Sequence, residues 1–344
     1  MKRVVAALVV IVAVGAIVYW FATQTRAGQD LVLERMLSAL IEGQEPLDPD
    51  SLHVFVCGSA SPLPAPGRAQ ACIAVIAGAD LFLVDAGSGS AQVTMLGRLP
   101  VASMRAIFLT HYHSDHIGAI GDHNINSWAA GRDAPLEIVG PEGVEQVVAG
   151  FNQAFALDAA YRTEHHGAEL MPPELGVLAA RTIEPGLVHD ENGLRIRAFP
   201  VDHSPVAPAF GYRFDYRGRS VVVTGDTIVT RSLEEAAEGA DLLITDALAE
   251  HLVLALARAN EQANPRGAQL LTDILDYHAH TDDLVALAER IGVGQLALYH
   301  LVPAPANAFM EDVFRRGLPD EVVLTVEGMR FELPVGSDEV RVSG

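Results

Sequence analysis

The chain has 344 residues, of which 50% are hydrophobic and only 19% charged, so it can bury a large core and does not have the composition of a disordered protein. Its formal net charge is −21 at pH 7, and no run of Lys or Arg is present. A protein that grips a nucleic-acid backbone normally presents a basic surface. We therefore expect a small-molecule substrate rather than nucleic acid.

The N-terminal segment predicts a membrane anchor. A Lys-Arg pair at residues 2–3 precedes an unbroken apolar run over residues 4–21. Such a run can cross a bilayer as a short helix, and its positive end stays in the cytoplasm. We predict an uncleaved signal-anchor over residues 1–28 in the inner (cytoplasmic) membrane, with the remaining chain on the periplasmic side. The alternative is a cleaved signal peptide and a secreted protein, although no clean cleavage site follows the run.

Residues 29–50 follow the predicted anchor and are expected to form an amphipathic helix and a linker. Apolar residues recur at helical spacing over residues 30–43, and a Pro-containing stretch at 45–50 ends that pattern. Short β-rich runs then alternate with helical stretches, which favours an α/β sandwich. We predict one domain over residues 51–335 and a tail over residues 336–344.

Cys57 and Cys72 are the two cysteines of the chain. In an exported protein they can form a disulfide, but each lies in an apolar, strand-like segment where a buried free thiol is equally common. Two cysteines do not define a disulfide framework, so both states stay open.

Residues 110–118, with the sequence THYHSDHIG, follow an apolar, strand-like run and carry the strongest chemical signal. Three imidazoles and a carboxylate packed unpaired into a core would be strongly destabilising. His111 and His113 are two apart in an extended segment and can point to one side, and Asp115 and His116 then turn toward a second position. Neutral imidazole and carboxylate are ligands of zinc and similar divalent cations. This segment therefore predicts a metal site.

Three later strand-like runs also end in residues that can bind metal. They lead, in chain order, to His203, Asp226 and His300. Each residue alone has an ordinary explanation. Together with the first motif they supply seven ligands at four strand ends, which is the arrangement needed for two metals sharing one rim.

These motifs in this order resemble the metallo-β-lactamase superfamily. The segments CGSASP at 57–62 and VDAGSG at 84–89 are also similar to that family's first strands and turns. Within the superfamily the chain is most similar to the ribonuclease Z and arylsulfatase-like group. That likeness depends on Asp202-His203 followed by Phe210-Gly211-Tyr212, and on the segment YHAHT at 277–281. The resemblance covers about residues 52–334 and implies an α/β fold, the metallo-β-lactamase αββα sandwich, here preceded by the predicted N-terminal transmembrane helix.

The resemblance also implies a ligand set for two divalent metal ions. Zn²⁺ is expected first, with Mn²⁺ or Fe²⁺ as alternatives, because His/Asp sites accept all three. Asp226 would bridge the two ions. The other ligands divide into His111, His113 and His203 for the first metal, and Asp115, His116 and His300 for the second.

Three residues are candidates for catalysis. His278 matches the family histidine that contacts the scissile group, and His280 is a second candidate for that role. Asp115 could take or return a proton, since a ligated carboxylate also hydrogen-bonds water. In ribonuclease Z a His-Glu pair supports the family histidine, whereas this sequence has Thr245-Asp246 at the corresponding place. The long basic arm that clamps tRNA is also missing.

The expected reaction is hydrolysis of a small ester by a metal-bridging hydroxide, as in an arylsulfatase-like enzyme. This expectation fits the predicted anchor, the acidic charge and the missing arm. The alternatives are a phosphodiesterase or ribonuclease Z-like endonuclease, a lactonase or β-lactamase-like hydrolase, and a catalytically silent metal-binding membrane protein. Dimers occur in the family that the chain resembles, so a homodimer stays open.

Overall fold

The computed structural model describes residues 2–42 and 47–344. The chain divides into two compact units, Met1–Asp48 and Pro49–Gly344. The described part of the first unit contains helices α1 (Lys2–Gln24) and α2 (Arg26–Glu42). Helix α2 includes most of the predicted amphipathic helix, and residues 43–46, where the linker was predicted to begin, lie outside the described residues.

The predicted N-terminal transmembrane helix is not supported. Within residues 2–42 and 47–344, no helix taken singly combines the length and apolarity of a membrane span. Two segments, Leu8–Gln24 and Arg26–Ser38, reach that length and hydropathy only when taken together, and they meet at an angle of 85°. The apolar run at residues 4–21 lies within α1, and the chain bends between α1 and α2.

The second unit is built on two β-sheets. The first sheet has eight strands in the order β15-β14-β1-β2-β3-β4-β5-β6, and the second has seven in the order β13-β12-β11-β10-β9-β8-β7. The strands are β1 (Ser51–Gly58), β2 (Cys72–Ala77), β3 (Asp80–Val84), β4 (Met104–Phe108), β5 (Glu137–Gly140), β6 (Ala179–Thr182), β7 (Gly186–Glu191), β8 (Leu194–Pro200), β9 (Phe210–Tyr216), β10 (Arg219–Val223), β11 (Leu242–Leu248), β12 (Gln295–Val302), β13 (Val323–Leu324), β14 (Arg330–Pro334) and β15 (Arg341–Ser343). The last strand lies within the predicted tail.

Helices cover the outer faces of the two sheets. They are α3 (Ser90–Leu96), α4 (Ser114–Ile117), α5 (Ile120–Ala129), α6 (Val144–His166), α7 (Arg231–Ala237), α8 (Glu250–Asn260), α9 (Pro265–Asp273), α10 (Thr281–Ile291) and α11 (Ala308–Phe314). Helices α3 and α6 contact strands of the first sheet. Leu233 of α7, Leu284 of α10 and Phe314 of α11 are buried in one apolar cluster with strands of the second sheet. The predicted α/β architecture with two sheets is confirmed.

The main core lies between the two sheets. Phe82 and Phe108 of the first sheet pack against each other, and Phe108 also contacts Tyr212 and Phe214 of the second sheet, with ring centroids 5.2 and 6.2 Å away. These rings are fully buried, and burying each one contributes about 1.5–3 kcal/mol. Tyr212 Oη donates a hydrogen bond of 2.7 Å to Leu109 O, so this core also holds the start of the His-rich segment.

Cys57 and Cys72 form a disulfide between β1 and β2. Both side chains are fully buried. Of the two states that the sequence left open, the structure therefore contains the disulfide.

The sheet topology brings together, at one edge, the ends of the strands that precede or contain the predicted metal ligands. Strands β3, β4 and β5 are mutually parallel in the first sheet, and β10, β11 and β12 are mutually parallel in the second. The carboxyl ends of parallel strands lie at the same edge of a sheet, and ligand-binding sites form there. The segments after β4, β8 and β10 and the end of β12 carry all seven predicted ligands.

Candidate metal centre

The His-rich segment begins directly after β4 and turns into the short helix α4. His111, Asp115 and His116 are buried, whereas His113 is exposed at the mouth of the site. His111 Nε2 lies 3.0 Å from His113 Nδ1. Two nitrogen atoms at this separation with no carboxylate between them can both be ligands of one cation. The extended backbone at His113 thus places alternate side chains together, as the spacing predicts.

Two groups of side chains meet around Asp226. In each group one potential ligand atom per residue lies within 4.8 Å of all the others. The first group comprises His111, His113 and His203 with Asp226, and the second comprises Asp115, His116 and His300. A further cluster of Asp226, Asp246, His278 and His300 meets the same distance limit and shares two residues with these groups. The structure therefore brings together all seven side chains that the sequence singled out as ligands.

Asp226 lies between the two groups and turns one oxygen toward each. Its Oδ2 is 3.9 Å from His111 Nε2 and 3.7 Å from His203 Nε2. Its Oδ1 is 3.3 Å from His116 Nε2 and 3.4 Å from His300 Nδ1. A carboxylate in this position can bind two cations through its two oxygens.

Three buried polar atoms at this point have no hydrogen-bond partner among the described residues. They are His116 Nε2, Asp226 Oδ1 and His300 Nδ1. Leaving a buried polar atom unsatisfied costs about 1–3 kcal/mol, so three such atoms facing one another require an explanation. Cations coordinated by them satisfy all three, and the imidazole and carboxylate donors are of the right type. The residues therefore fit divalent metals.

The protonation of the two groups differs. Burial lowers the pKa of His111, His113 and His203, which keeps these rings in the neutral form that binds metal. Burial opposes charge on His116 and His300 as well, but Asp226 together with Asp85 at His116, and together with Asp115 at His300, outweighs it and raises both pKa values. Cation binding at the second group is therefore coupled to release of protons.

His300 reaches the centre because its strand is irregular. Strand β12 does not end before His300, as the sequence suggested, but continues to Val302. Asp246 pairs with Tyr299 and Ala247 with Leu301, so His300 is the extra residue of a β-bulge. Its φ of 43° lies in the left-handed region, which is strained for a histidine and is typical of functional positions.

Asp85 supports the centre from below and was not identified from the sequence. Its carboxylate accepts hydrogen bonds from Thr110 N at 2.8 Å and from Thr110 Oγ1, and Oδ2 lies 2.8 Å from His116 Nδ1. Asp85 is fully buried and also has a positive φ, of 62°. The sequence could have identified it, because Asp85 directly follows strand β3, just as the candidate metal ligands lie at or after the ends of their strands.

His278 lies beside the two groups and is held by Asp246. Its Nδ1 is 2.9 Å from Asp246 Oδ2 and 4.0 Å from Asp226 Oδ2. Burial lowers the pKa of His278 to about 4 and raises that of Asp246, so charge is disfavoured on both partners. The Thr245-Asp246 departure from the ribonuclease Z pattern therefore still leaves a carboxyl group that orients this ring.

His280, the second candidate for the same role, is directed elsewhere. Its Nε2 donates a hydrogen bond of 2.8 Å to Leu275 O, and its Nδ1 lies 3.4 Å from Glu250. His280 lies two residues beyond His278, as the extended residue that precedes α10. The structure does not bring His280 to the centre.

A cleft of about 290 Å³ opens onto the centre. His113, Asp115, Asp226 and His278 line one side of it. A substrate group in this cleft contacts both the candidate metal ligands and the histidine that Asp246 holds.

Comparison with known proteins places the fold in a family. The family model described as "Beta-lactamase superfamily domain" matches residues 81–301. A ribonuclease Z of Mycolicibacterium paratuberculosis is 39% identical over 256 residues, 74% of this chain and 87% of the relative. A ribonuclease Z of Mycobacterium marinum is 37% identical over 294 residues, 85% of this chain and 98% of the relative.

Solved structures share the fold at lower identity. The short form of human tRNase Z aligns with a TM-score of 0.59 and 19% identity, covering 82% of this chain and 99% of that one. The metallo-beta-lactamase fold protein YhfI of Bacillus subtilis aligns with a TM-score of 0.58 and 21% identity, covering 82% of this chain and all of that one. These likenesses confirm the expected fold.

The relatives correct two expectations from the sequence. They are named as ribonucleases, which contradicts a small-molecule ester as substrate and the exclusion of nucleic acid. Net charge was a weak guide, because it sums the whole surface and says little about one cleft. The membrane-anchored periplasmic location is wrong as well, because it depended on the predicted anchor, and no helix taken singly among the described residues combines the length and apolarity of a membrane span. The chain is a metal-dependent hydrolase of the beta-lactamase superfamily.

Proposed function

We propose that this protein is a phosphodiesterase that cleaves RNA, as the name of its ribonuclease Z relatives indicates. The observation that carries the proposal is the position of His278, which faces the same cleft as the candidate metal ligands and is oriented by Asp246. A positioned imidazole beside two cations is what a phosphodiester needs for release of an alkoxide leaving group. The near-complete coverage of ribonuclease Z from Mycobacterium marinum supports the same class of substrate.

The same proposal assigns the metal ligands. His111, His113 and His203 would hold one divalent cation, Asp115, His116 and His300 would hold a second, and Asp226 would bridge them. Zn²⁺ is the first choice, with Mn²⁺ or Fe²⁺ as alternatives. When bound, two such cations supply a water that is deprotonated near neutral pH and neutralise charge on the phosphoryl oxygens.

The protein's own groups then manage protons and orientation. Asp115 Oδ2 lies 3.1 Å from His300 Nε2 and 3.5 Å from His116 Nε2, so its carboxylate is fixed where it can accept a proton from the attacking water. The water oxygen forms a bond to phosphorus, and the bond from phosphorus to the leaving oxygen breaks. With Asp246 protonated and donating to His278 Nδ1, the Nε2–H of the neutral ring would pass its proton to that leaving oxygen while the Asp246 proton moves to Nδ1.

A direct comparison of substrates tests this proposal. Zinc-loaded protein is assayed on RNA, on a chromogenic phosphodiester and on a chromogenic aryl sulfate, and kcat/KM is measured for each. We expect RNA cleavage, and a preference for the phosphodiester over the sulfate of at least about tenfold, which corresponds to 1.4 kcal/mol of transition-state discrimination. A higher kcat/KM on the aryl sulfate, without RNA cleavage, would contradict the proposal and favour an arylsulfatase-like activity.

Replacing Asp85 by Asn is expected to weaken metal binding by about 10- to 100-fold, the usual effect of removing a carboxylate that orients a metal-bound histidine. The amide has nearly the same size but no charge, so it no longer holds His116 Nδ1 as firmly. Metal affinity is measured by competition with a chromophoric chelator. Asp190→Asn is the control, because Asp190 is an exposed carboxylate that pairs with Arg195 on the surface. Unchanged affinity in the Asp85 variant would contradict the supporting role of Asp85.

A further inference from the structure

The cleft over the centre has a second side that the hydrolytic chemistry does not use. The lining residues include Pro62, Leu63, Ile274, Tyr277 and Val302, which form the apolar side of the cleft. A phosphoryl group held by cations gains nothing from an apolar surface. Such a surface in a binding cleft indicates that part of the ligand is itself apolar and loses water there.

The apolar side is rigid. Leu63 and Ile274 pack against a small buried cluster that comprises Leu248, Val253 and Val302. The cluster is tied to the sheet, because Ala249 N donates a hydrogen bond of 2.9 Å to Val302 O. The surface is therefore preformed, and binding to it does not require these side chains to be ordered first.

Tyr277 forms the edge of this side nearest to the centre. Its ring centroid is 4.8 Å from that of His203 and 4.8 Å from that of His278. Its carbonyl oxygen lies 2.9 Å from His203 Nδ1 and accepts the hydrogen bond of that ring. The side chain is only partly buried, so the rest of the ring is accessible from the cleft. An aromatic ring is thus held next to the place where the phosphodiester is cleaved.

The charge of the protein makes such a ring important. None of the described residues that line this cleft is Lys or Arg, and the whole chain has a net charge of −21. Neutralisation of phosphates by basic side chains, which is the main source of RNA affinity in most proteins, is weak here. Stacking of bases on aromatic rings does not depend on charge and tolerates every base.

We propose that Tyr277, together with Leu63 and Ile274, forms a subsite for the nucleobase that flanks the cleaved phosphodiester bond. This inference depends on the proposed RNA-cleaving function and adds the part of the substrate that the apolar side recognises. The base stacks on the accessible part of the Tyr277 ring while its phosphate faces Asp226 and His278. Tyr277 is therefore a residue that determines substrate affinity and position.

The test combines changes in the enzyme and in the RNA. After the cleavage position has been mapped on an intact oligonucleotide, two further oligonucleotides carry an abasic ribose on one or the other side of that bond. With the wild-type protein, one of them is expected to show a kcat/KM lower by about 5- to 150-fold, the equivalent of one stacked base. In Tyr277→Ala this penalty disappears, because the intact RNA has already lost the stacking partner. In Tyr277→Phe the penalty remains.

Controls separate stacking from folding and from the function itself. Tyr161→Ala removes an exposed tyrosine of α6 and should leave the abasic penalty as in the wild type. If Tyr277→Ala does not fold, as judged by thermal unfolding, Tyr277→Leu provides the same comparison with an apolar side chain. If the abasic penalty in Tyr277→Ala or Tyr277→Leu equals that of the wild type, the subsite is overturned. The same holds if the wild type shows no penalty. Neither result affects the proposed RNA cleavage. A wild-type protein that cleaves neither RNA nor the phosphodiester overturns the proposed function as well.

Discussion

Asp226→Ala is expected to lower kcat/KM on a phosphodiester by about 10³-fold or more, because loss of either cation removes several kcal/mol of transition-state stabilisation. The side chain is buried, and its two oxygens face the two groups of ligands separately. The variant should also bind fewer metal ions than the wild type.

Metal content and activity are measured on the same preparation. Asp133→Ala is the control for Asp226→Ala, since the Asp133 side chain is 74% exposed and pairs with Arg105 on the surface. We expect this control to keep the wild-type metal content and the wild-type rate. An Asp226→Ala protein that retains two metals and full activity would contradict the assignment of Asp226 as the bridging ligand.

His278→Ala is expected to lower kcat by about 10²- to 10⁴-fold, which is the usual contribution of a positioned general acid or base, while the metal content stays unchanged. Asp246→Asn should have a smaller effect in the same direction, because Asp246 acts through the orientation of the His278 ring. The double variant should be little worse than His278→Ala, since the two residues act as one unit. Single-turnover kinetics on a phosphodiester measures all three.

His280→Ala is a matched control for His278→Ala. It removes the same type of side chain two residues along the chain, but its ring contacts Leu275 O and Glu250 rather than the centre. The expected kcat is close to that of the wild type. Equal losses in the two histidine variants would contradict the distinction between them, and an active His278→Ala protein would remove His278 from the mechanism.

The sequence predicts which side chains meet at the centre because these candidate ligands share one simple context. Each comes at or just after an apolar strand, and parallel strands deliver their carboxyl ends to one edge of the sheet. Asp226, after β10, is the clearest case, since the topology alone puts it between the other two groups. The same rule could have identified Asp85, which follows β3 and accepts hydrogen bonds from Thr110.

Other features depend on tertiary contacts that periodicity does not contain. The bulge at His300 arises from the register of β11 against β12 and leaves no mark in the hydrophobic pattern. The pairing of Asp246 with His278 joins residues that are far apart in the chain, and only the fold brings them within 2.9 Å. The bend between α1 and α2 likewise cannot be read from the apolar run at residues 4–21, which lies entirely within α1.

The substrate is the part for which the sequence was a poor guide. A net charge of −21 argued against nucleic acid, yet the relatives are named as ribonucleases. Net charge describes the average surface, whereas the cleft beside Asp226 combines candidate cation ligands with an aromatic ring. Bound cations reverse the local charge, so an acidic protein can still attract a phosphodiester at that point.

Removal and return of the metal tests the central claim most directly. The protein is treated with a chelator, dialysed and titrated with Zn²⁺, while bound metal and cleavage of RNA are measured at each step. We predict that the metal-free protein does not cleave RNA and that activity returns as the second equivalent of metal binds. RNA cleavage by the metal-free protein, or a folded protein that binds no metal at these histidines, would contradict the account.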